Sequence, residues 1–461
     1  MLQIGSNLSS RRDFLKVGTL GLGGLTLPQL LSARVAAANQ KLPITDKSVV
    51  FVFMQGGPSQ IETFDPKMTA PAGIRSANGE IATSLPGVTF GSAFPKLAAR
   101  AHELAIVRSF TTGDANHDIK PIVCKATAGA NLGSLYSRVA GTNRPTTGMP
   151  TNIAIYPQAV DASTRPAFKT FGDFESTGTL GSAYSPFAPS GGGELKKDLR
   201  LGLPLARLDD RRQLLAGLDR IRRSIDSAGM MAGVDSLRQQ AFDTVIGGVA
   251  DAFNLSKESP ATIARYDTAP LMRPDHIDPK WHNHLLYEDN AKSLGKLMLL
   301  ARRLCERGCG FVTVTTNFVW DMHADINNAG MEEGMRYLGL PFDHAISTFL
   351  ADVAERGLSD KILLVCCGEM GRTPRINAHG GRDHWGNLAP LLLAGGGLKM
   401  GQVIGQSTRD AGQPLTDPMT IPHLVATVLH SVLDVGELRA ARGIPRDVLR
   451  AATGETIPGL T

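Results

Sequence analysis

The sequence predicts an α/β protein, a three-layer sandwich whose central sheet is largely parallel and lies between helices. Three observations predict it. Short runs at 48–54, 104–107, 311–315 and 362–367 have the length of strands and are apolar almost throughout, as strands buried on both faces are. Stretches with apolar residues at helical spacing, such as 285–303 and 342–353, stand between them. Each run then empties into a burst of polar residues, the pattern of an open parallel sheet that carries its chemistry at the carboxyl ends of its strands. With 461 residues, 42% hydrophobic and 20% charged, the chain has the composition of a globular enzyme and the length for one large α/β domain or two smaller ones.

The first 38 residues stand apart. Ser10, Arg11, Arg12, Asp13, Phe14, Leu15 and Lys16 resemble the twin-arginine export signal, and a glycine-rich apolar stretch at 17–31 and the small residues Ala36, Ala37 and Ala38 follow. A cleaved signal at 1–38 is expected, with a mature domain at 39–461, the twin-arginine translocase as a partner during export, and a periplasmic or secreted location. The apolar stretch is too short and glycine-rich for a permanent membrane span. Three of the five net positive charges lie in this segment, so the remainder offers no basic surface for nucleic acid. Five cysteines, an odd number, follow no disulfide spacing, and the neighbours Cys366 and Cys367 read as core residues on opposite faces of one strand.

In order, the strand at 48–54 runs into Gln55, Gly56 and Gly57, where two glycines let the backbone turn sharply and approach a ligand. A short helix is expected at 94–102 and a strand at 104–107. The strand opens into Ser109, Thr111, Thr112, Asn116 and His117, before a helix at 118–126 whose free amides would favour an anion. A strand at 152–156 precedes a Gly-, Ser-, Pro- and Phe-rich loop at 163–193. Helical spacing through Leu214, Leu218, Ile221 and Ile225, and again through Phe242, Val245, Ile246, Val249 and Phe253, predicts a helical insertion at about 204–283. A long helix, the strand 311–315 with Asp321 and His323 beyond it, and a helix with Pro341 in its first turn lead to the strand 362–367. Glu369, Arg372, Arg382, Asp383 and His384 crowd the loop that follows. Strands at 388–394 and 402–404 and a helix at 421–433 complete the pattern.

In a parallel sheet these strand ends share one edge. Imidazoles and carboxylates there suit zinc, manganese or iron, carboxylates alone suit magnesium or calcium, and arginines suit a phosphate or sulfate. The segments FMQGGPSQIETFDPK, NHDIK, WDMH, GEMGRTP, GRDHW and LLLAGGGLKMGQVIG together resemble domain-of-unknown-function family 1501, over about 46–433. That family is grouped with the alkaline phosphatase and sulfatase superfamily. The resemblance implies an alkaline-phosphatase-like fold and hydrolysis of phosphate or sulfate esters at one or two divalent metals. On it, Asp321, His323, Glu369 and His384 are the expected ligands, and Arg372 clamps the anion. Thr112 or an activated water attacks. The superfamily mechanism assigns nothing to His117, which from its place at a strand-to-helix junction reads as a general acid, a further ligand or a histidine that caps the loop. Gly56, Gly57, Arg382 and Asp383 are expected around a small-molecule or glycan ester.

The chain departs from the superfamily pattern at two places. Gln55 stands where an acidic ligand follows the first strand, the nearest acid being Glu62, and Glu369-Met370 replaces an Asp-His pair. No C-x-P-x-R motif is present. One-metal and metal-free versions both fit, and the alternative to an enzyme is a degenerate relative that binds an anionic glycan or a protein partner without turnover.

Overall fold

The computed structural model describes residues 42–189, 249–315 and 317–460. The export-signal motif and most of the expected helical insertion lie outside them. From 249 onward the insertion shows only short pieces, Ala250–Phe253 and Pro260–Tyr266 among them.

Seven strands form the central sheet: β1 (Ser48–Phe53), β2 (Leu104–Val107), β3 (Asn152–Ile155), β4 (Phe311–Thr315), β5 (Ile362–Cys367), β6 (Leu391–Gly395) and β7 (Gln402–Ile404). Their order is β7-β2-β6-β5-β1-β4-β3. β1 pairs in parallel with β4 and β5, as β4 does with β3 and β7 with β2, while β6 runs antiparallel to both neighbours, β2 and β5. Every residue of β1 and β5 is buried. Alternation then divides them between two cores: Val50, Val52 and Cys366 enter one, and Val49, Phe51, Phe53 and Cys367 the other. At roughly 1.5–3 kcal/mol for each large side chain removed from water, these two strands anchor the domain.

The first core packs under α2 (His284–Glu306) and α3 (Met331–Glu355), and the second under α1 (Leu132–Ala140) and α4 (Ile421–Val432). Helices on both faces of a mostly parallel sheet make the predicted three-layer sandwich. No helix among the described residues is long and apolar enough to cross a membrane.

Three details differ from the sequence reading. Pro341 lies inside α3, not in its first turn, because the helix begins at Met331 with Glu332 and Glu333 at its positive end. No α-helix covers 118–126; only the short turn Lys125–Thr127 forms there. Pro121 explains it, since proline supplies no N–H and disfavours helical backbone at the residue before it. His117 therefore sits in a loop and not at a helix N-terminus. The antiparallel course of β6 is the third, and it matters for the site. Loop 368–390 leaves β5 at the carboxyl edge and enters β6 from that same edge, so the whole loop stays beside the ends of β1, β2 and β4.

Candidate metal centre

Four side chains meet at this edge: His117 from the loop after β2, Asp321 and His323 from the loop after β4, and His384 from the loop after β5. One ligand-type atom from each lies within 4.8 Å of the other three. The three imidazoles turn the same nitrogen inward. His323 Nε2 is 2.7 Å from His384 Nε2 and 2.8 Å from Asp321 Oδ1. His384 Nε2 and His117 Nε2 lie 3.3 and 3.4 Å from that same oxygen.

What stands behind the imidazoles fixes their protons. Glu369 Oε1 is 3.0 Å from His117 Nδ1, and Asp383 Oδ1 is 3.6 Å from His323 Nδ1. At hydrogen-bond distance, the Glu369 carboxylate keeps the His117 proton on Nδ1 and leaves its Nε2 lone pair facing the cluster, the arrangement of a metal-ligating histidine; Asp383 stands farther off behind His323. Burial alone would lower the affinity of His117 for a proton, yet Asp321 and Glu369 outweigh it and raise its pKa. Burial pushes the Glu369 carboxyl up and pulls His384 down.

Asp321 is the hub. Burial would raise its carboxyl, but the Arg372 guanidinium and the polar ring nitrogens of His117, His323 and His384 around it hold it well below the usual carboxylate range. Arg372 Nη2 lies 2.5 Å from Asp321 Oδ1, and Asn328 Nδ2 donates to Oδ2 at 3.2 Å. One carboxylate and three imidazoles make a donor set that suits zinc, with manganese and iron next.

The backbone places these groups. Gly56 has φ +114°, and a Cβ there would come within 2.5 Å of Asp321 N. Only glycine lets the turn after β1 pass so close to the Asp321 loop. Gly56 N donates to Glu369 Oε1 at 2.9 Å, and the Gly56 carbonyl accepts from Arg372. Gly57 O accepts from Arg372 Nε at 2.7 Å. Gly56 and Gly57 thus hold the supports of the cluster.

Other expected site residues fall elsewhere. Glu369 is fully buried and turned to His117 Nδ1 and Gly56 N, behind the converging Nε2 atoms instead of among them. Arg372 is also fully buried, its guanidinium engaged by Gly56, Gly57, Asp321 and the Arg382 carbonyl, so it braces Asp321 from within the protein. Arg382 pairs with Glu62 at 2.9 Å and donates to Ile74 O and Arg75 O. Glu62 is held by Ser76 Oγ at 2.6 Å and is a structural partner. The Thr112 hydroxyl faces the Asp114 and Gly386 carbonyls, both at 3.5 Å, beside an apolar groove that includes Cys124, Ile421 and Val425.

One feature of the site escaped the sequence reading. Phe171 stacks on His117 at 4.7 Å between ring centroids, Phe318 meets the same imidazole edge-on at 4.8 Å, and Phe168 stacks on Phe318 at 4.9 Å. This aromatic wall shields one side of the cluster. The available signal was three phenylalanines at three-residue spacing, Phe168, Phe171 and Phe174, in a stretch rich in polar and turn residues.

A family model described as "Protein of unknown function (DUF1501)" matches residues 46–442. The chain belongs to this family. No curated protein matches it. Among solved structures, a sulfatase from Pseudoalteromonas sp. is 12% identical, with a TM-score of 0.34 over 87% of this chain and 69% of that one. A phosphonate monoester hydrolase from Silicibacter pomeroyi is 13% identical, with a TM-score of 0.31 over 89% and 76%. An alkaline phosphatase from the Antarctic bacterium TAB5 is 11% identical, with a TM-score of 0.23 over 77% and 92%. At such scores the likeness carries no conclusion about this family member, whose function rests on its own residues.

Proposed function

We propose that this member of the family is a metal-dependent hydrolase of phosphate or sulfate esters, exported by the twin-arginine route. The observation that supports it is the convergence of three imidazole Nε2 atoms and the Asp321 carboxylate at one point. His117, Asp321, His323 and His384 would hold the ion. A divalent cation at such a site supplies Lewis acidity toward an ester oxygen and toward water. Glu369 keeps His117 in the ligating tautomer, and Arg372 keeps Asp321 ionised. The Phe168, Phe171 and Phe318 wall excludes bulk water from one flank, which strengthens every charge interaction inside. With Thr112 facing backbone carbonyls, water is the nucleophile in this reading.

The test is hydrolysis of a panel of phosphate and sulfate esters by protein loaded with zinc, manganese or iron, with Asp321→Ala as control. Turnover that disappears with a chelator and in Asp321→Ala supports the reading; metal-free protein with the same activity overturns it. Binding without turnover is favoured by one observation: Arg372 and Arg382 are both committed to internal partners, so neither offers an anion clamp. It predicts saturable ligand binding that chelators leave unchanged.

A further inference from the structure

Two adjoining cavities lie beside the metal centre, and the first opens from its side chain His323. The first, about 520 Å³, is bordered by His323, Asp325, Asn377, His379 and Asp383. The second, about 480 Å³, shares Ala324 and His379 with it and continues past Trp281, Lys280 and Arg336. Together they form a cleft that begins at the cluster and leads away from it. Each cavity is by itself within the size range of a whole small-molecule site, so a simple ester bound at the metal would leave most of the cleft empty.

The lining points to the chemistry of what fills it. The Asp325 and Asp383 carboxylates can accept hydrogen bonds from hydroxyl groups, and Trp281 offers a half-buried apolar ring with the Lys280 ammonium 4.6 Å from its centroid. Arg336 is exposed and has no ion-pair or hydrogen-bond partner among the described residues, while Lys280 is engaged by Asp278 at 2.8 Å and Glu333 at 3.5 Å. Four carboxylates line the same two cavities, Asp325 and Asp383 the first and Glu332 and Glu333 the second together with these two cations. A chain charged on every unit would be repelled by them, whereas a hydroxyl-rich chain with sparse ester groups would not.

We propose that the cleft is an oligosaccharide-binding site, with Trp281 and Arg336 forming a subsite remote from the metal for a hydroxyl-rich, sparsely esterified sugar chain. The inference rests on the ester-hydrolase reading for the reacting end of that chain and on the cleft alone for the remainder.

Its test uses zinc-loaded full-length protein with 4-nitrophenyl sulfate and 4-nitrophenyl phosphate as small esters. Oligosaccharides of one to six units carrying a single sulfate or phosphate, on glucose, galactose and fucose backbones, supply the chains. Dextran sulfate serves as the densely charged comparator. The expected result is a rise in kcat/KM of about tenfold or more from one unit to four. That gain should be lost in Trp281→Ala and in Arg336→Gln, without change toward the small esters. Arg336 is exposed, so Arg336→Gln keeps the inference testable if Trp281→Ala does not fold. Dextran sulfate should bind more weakly than the sparsely esterified hexamer. Equal kcat/KM at every length, or a loss shared by small esters and chains, would overturn the inference. Where no ester is turned over, the hydrolase reading fails separately. Calorimetric binding of the hexamers, weakened tenfold in Arg336→Gln, then still supports the cleft, and no binding of any hexamer overturns it.

Discussion

Replacing Glu369 by glutamine tests how the cluster is prepared for a metal. Oε1 of Glu369 accepts from Gly56 N at 2.9 Å and lies 3.0 Å from His117 Nδ1. Both donors share Oε1, so a glutamine that places its carbonyl oxygen there still accepts from both, but it is neutral and sets an NH2 group in place of Oε2, 3.2 Å from Gly56 N, and the charge assistance to His117 goes. The charge-assisted bond that is lost is worth about 1.5–3 kcal/mol. Changes to groups behind metal-ligating histidines typically cost 10–100-fold in metal affinity, equivalent to about 1.4–2.7 kcal/mol. The two routes agree. Zinc affinity, measured by competition with a chromogenic chelator at pH 7, should therefore weaken about 10–100-fold in Glu369→Gln, with cooperative unfolding retained. His117→Ala, which removes an Nε2 donor outright, should cost more. An unchanged affinity in Glu369→Gln would refute the tautomer argument, and a loss as large as that of Asp321→Ala would make Glu369 a ligand in its own right.

Three further outcomes follow from the same geometry. Arg372→Lys keeps the charge but cannot span Gly57 O, the Arg382 carbonyl and Asp321 together; urea unfolding should show a loss of about 3–5 kcal/mol, and a loss under about 1 kcal/mol would contradict the bracing role. Gly56→Ala forces a Cβ to within 2.5 Å of Asp321 N at φ +114°, so both Tm and zinc affinity should fall, and a variant matching wild type in both would show that the close approach is dispensable. Asp343 accepts from Lys96 N and Leu97 N, yet burial pushes its carboxyl from 3.8 up to about 6. Its neutral form is favoured by folding, so its contribution is complete below about pH 4 and is lost as pH rises through about 6, on the order of 3 kcal/mol in all. Asp343→Asn should flatten that part of the stability–pH curve, measured by unfolding between pH 4 and 7; an unaltered slope would contradict it.

The strands were legible because burial on both faces leaves no alternating pattern to misread, and β2, β4 and β5 stand at their expected residues. Strand direction was not legible. A run such as Leu391–Gly395 is equally apolar read either way, and only its pairing with β2 and β5 shows that it runs backwards. The missing helix at 118–126 was legible in principle, since Pro121 is in plain view. At the site, residue type indicated the chemistry while side-chain direction stayed hidden. His117, Asp321, His323 and His384 were all named from the ends of strands, but nothing local in the sequence says that Glu369 turns toward Gly56 N or that Arg372 is consumed by the Gly56 and Gly57 carbonyls. Those orientations depend on two loops passing within contact distance at Gly56, a long-range fact. The aromatic wall is of the same kind, because Phe168 and Phe318 are far apart in the chain and stack directly on each other only in the fold.

The most direct measurement is X-ray absorption at the zinc edge of the zinc-loaded protein. The account predicts a single site with three imidazole nitrogens and one carboxylate oxygen at about 2.0–2.2 Å and no sulfur, abolished in Asp321→Ala. A sulfur shell near 2.3 Å, a site without imidazole scattering, or zinc retained unchanged in Asp321→Ala would contradict it.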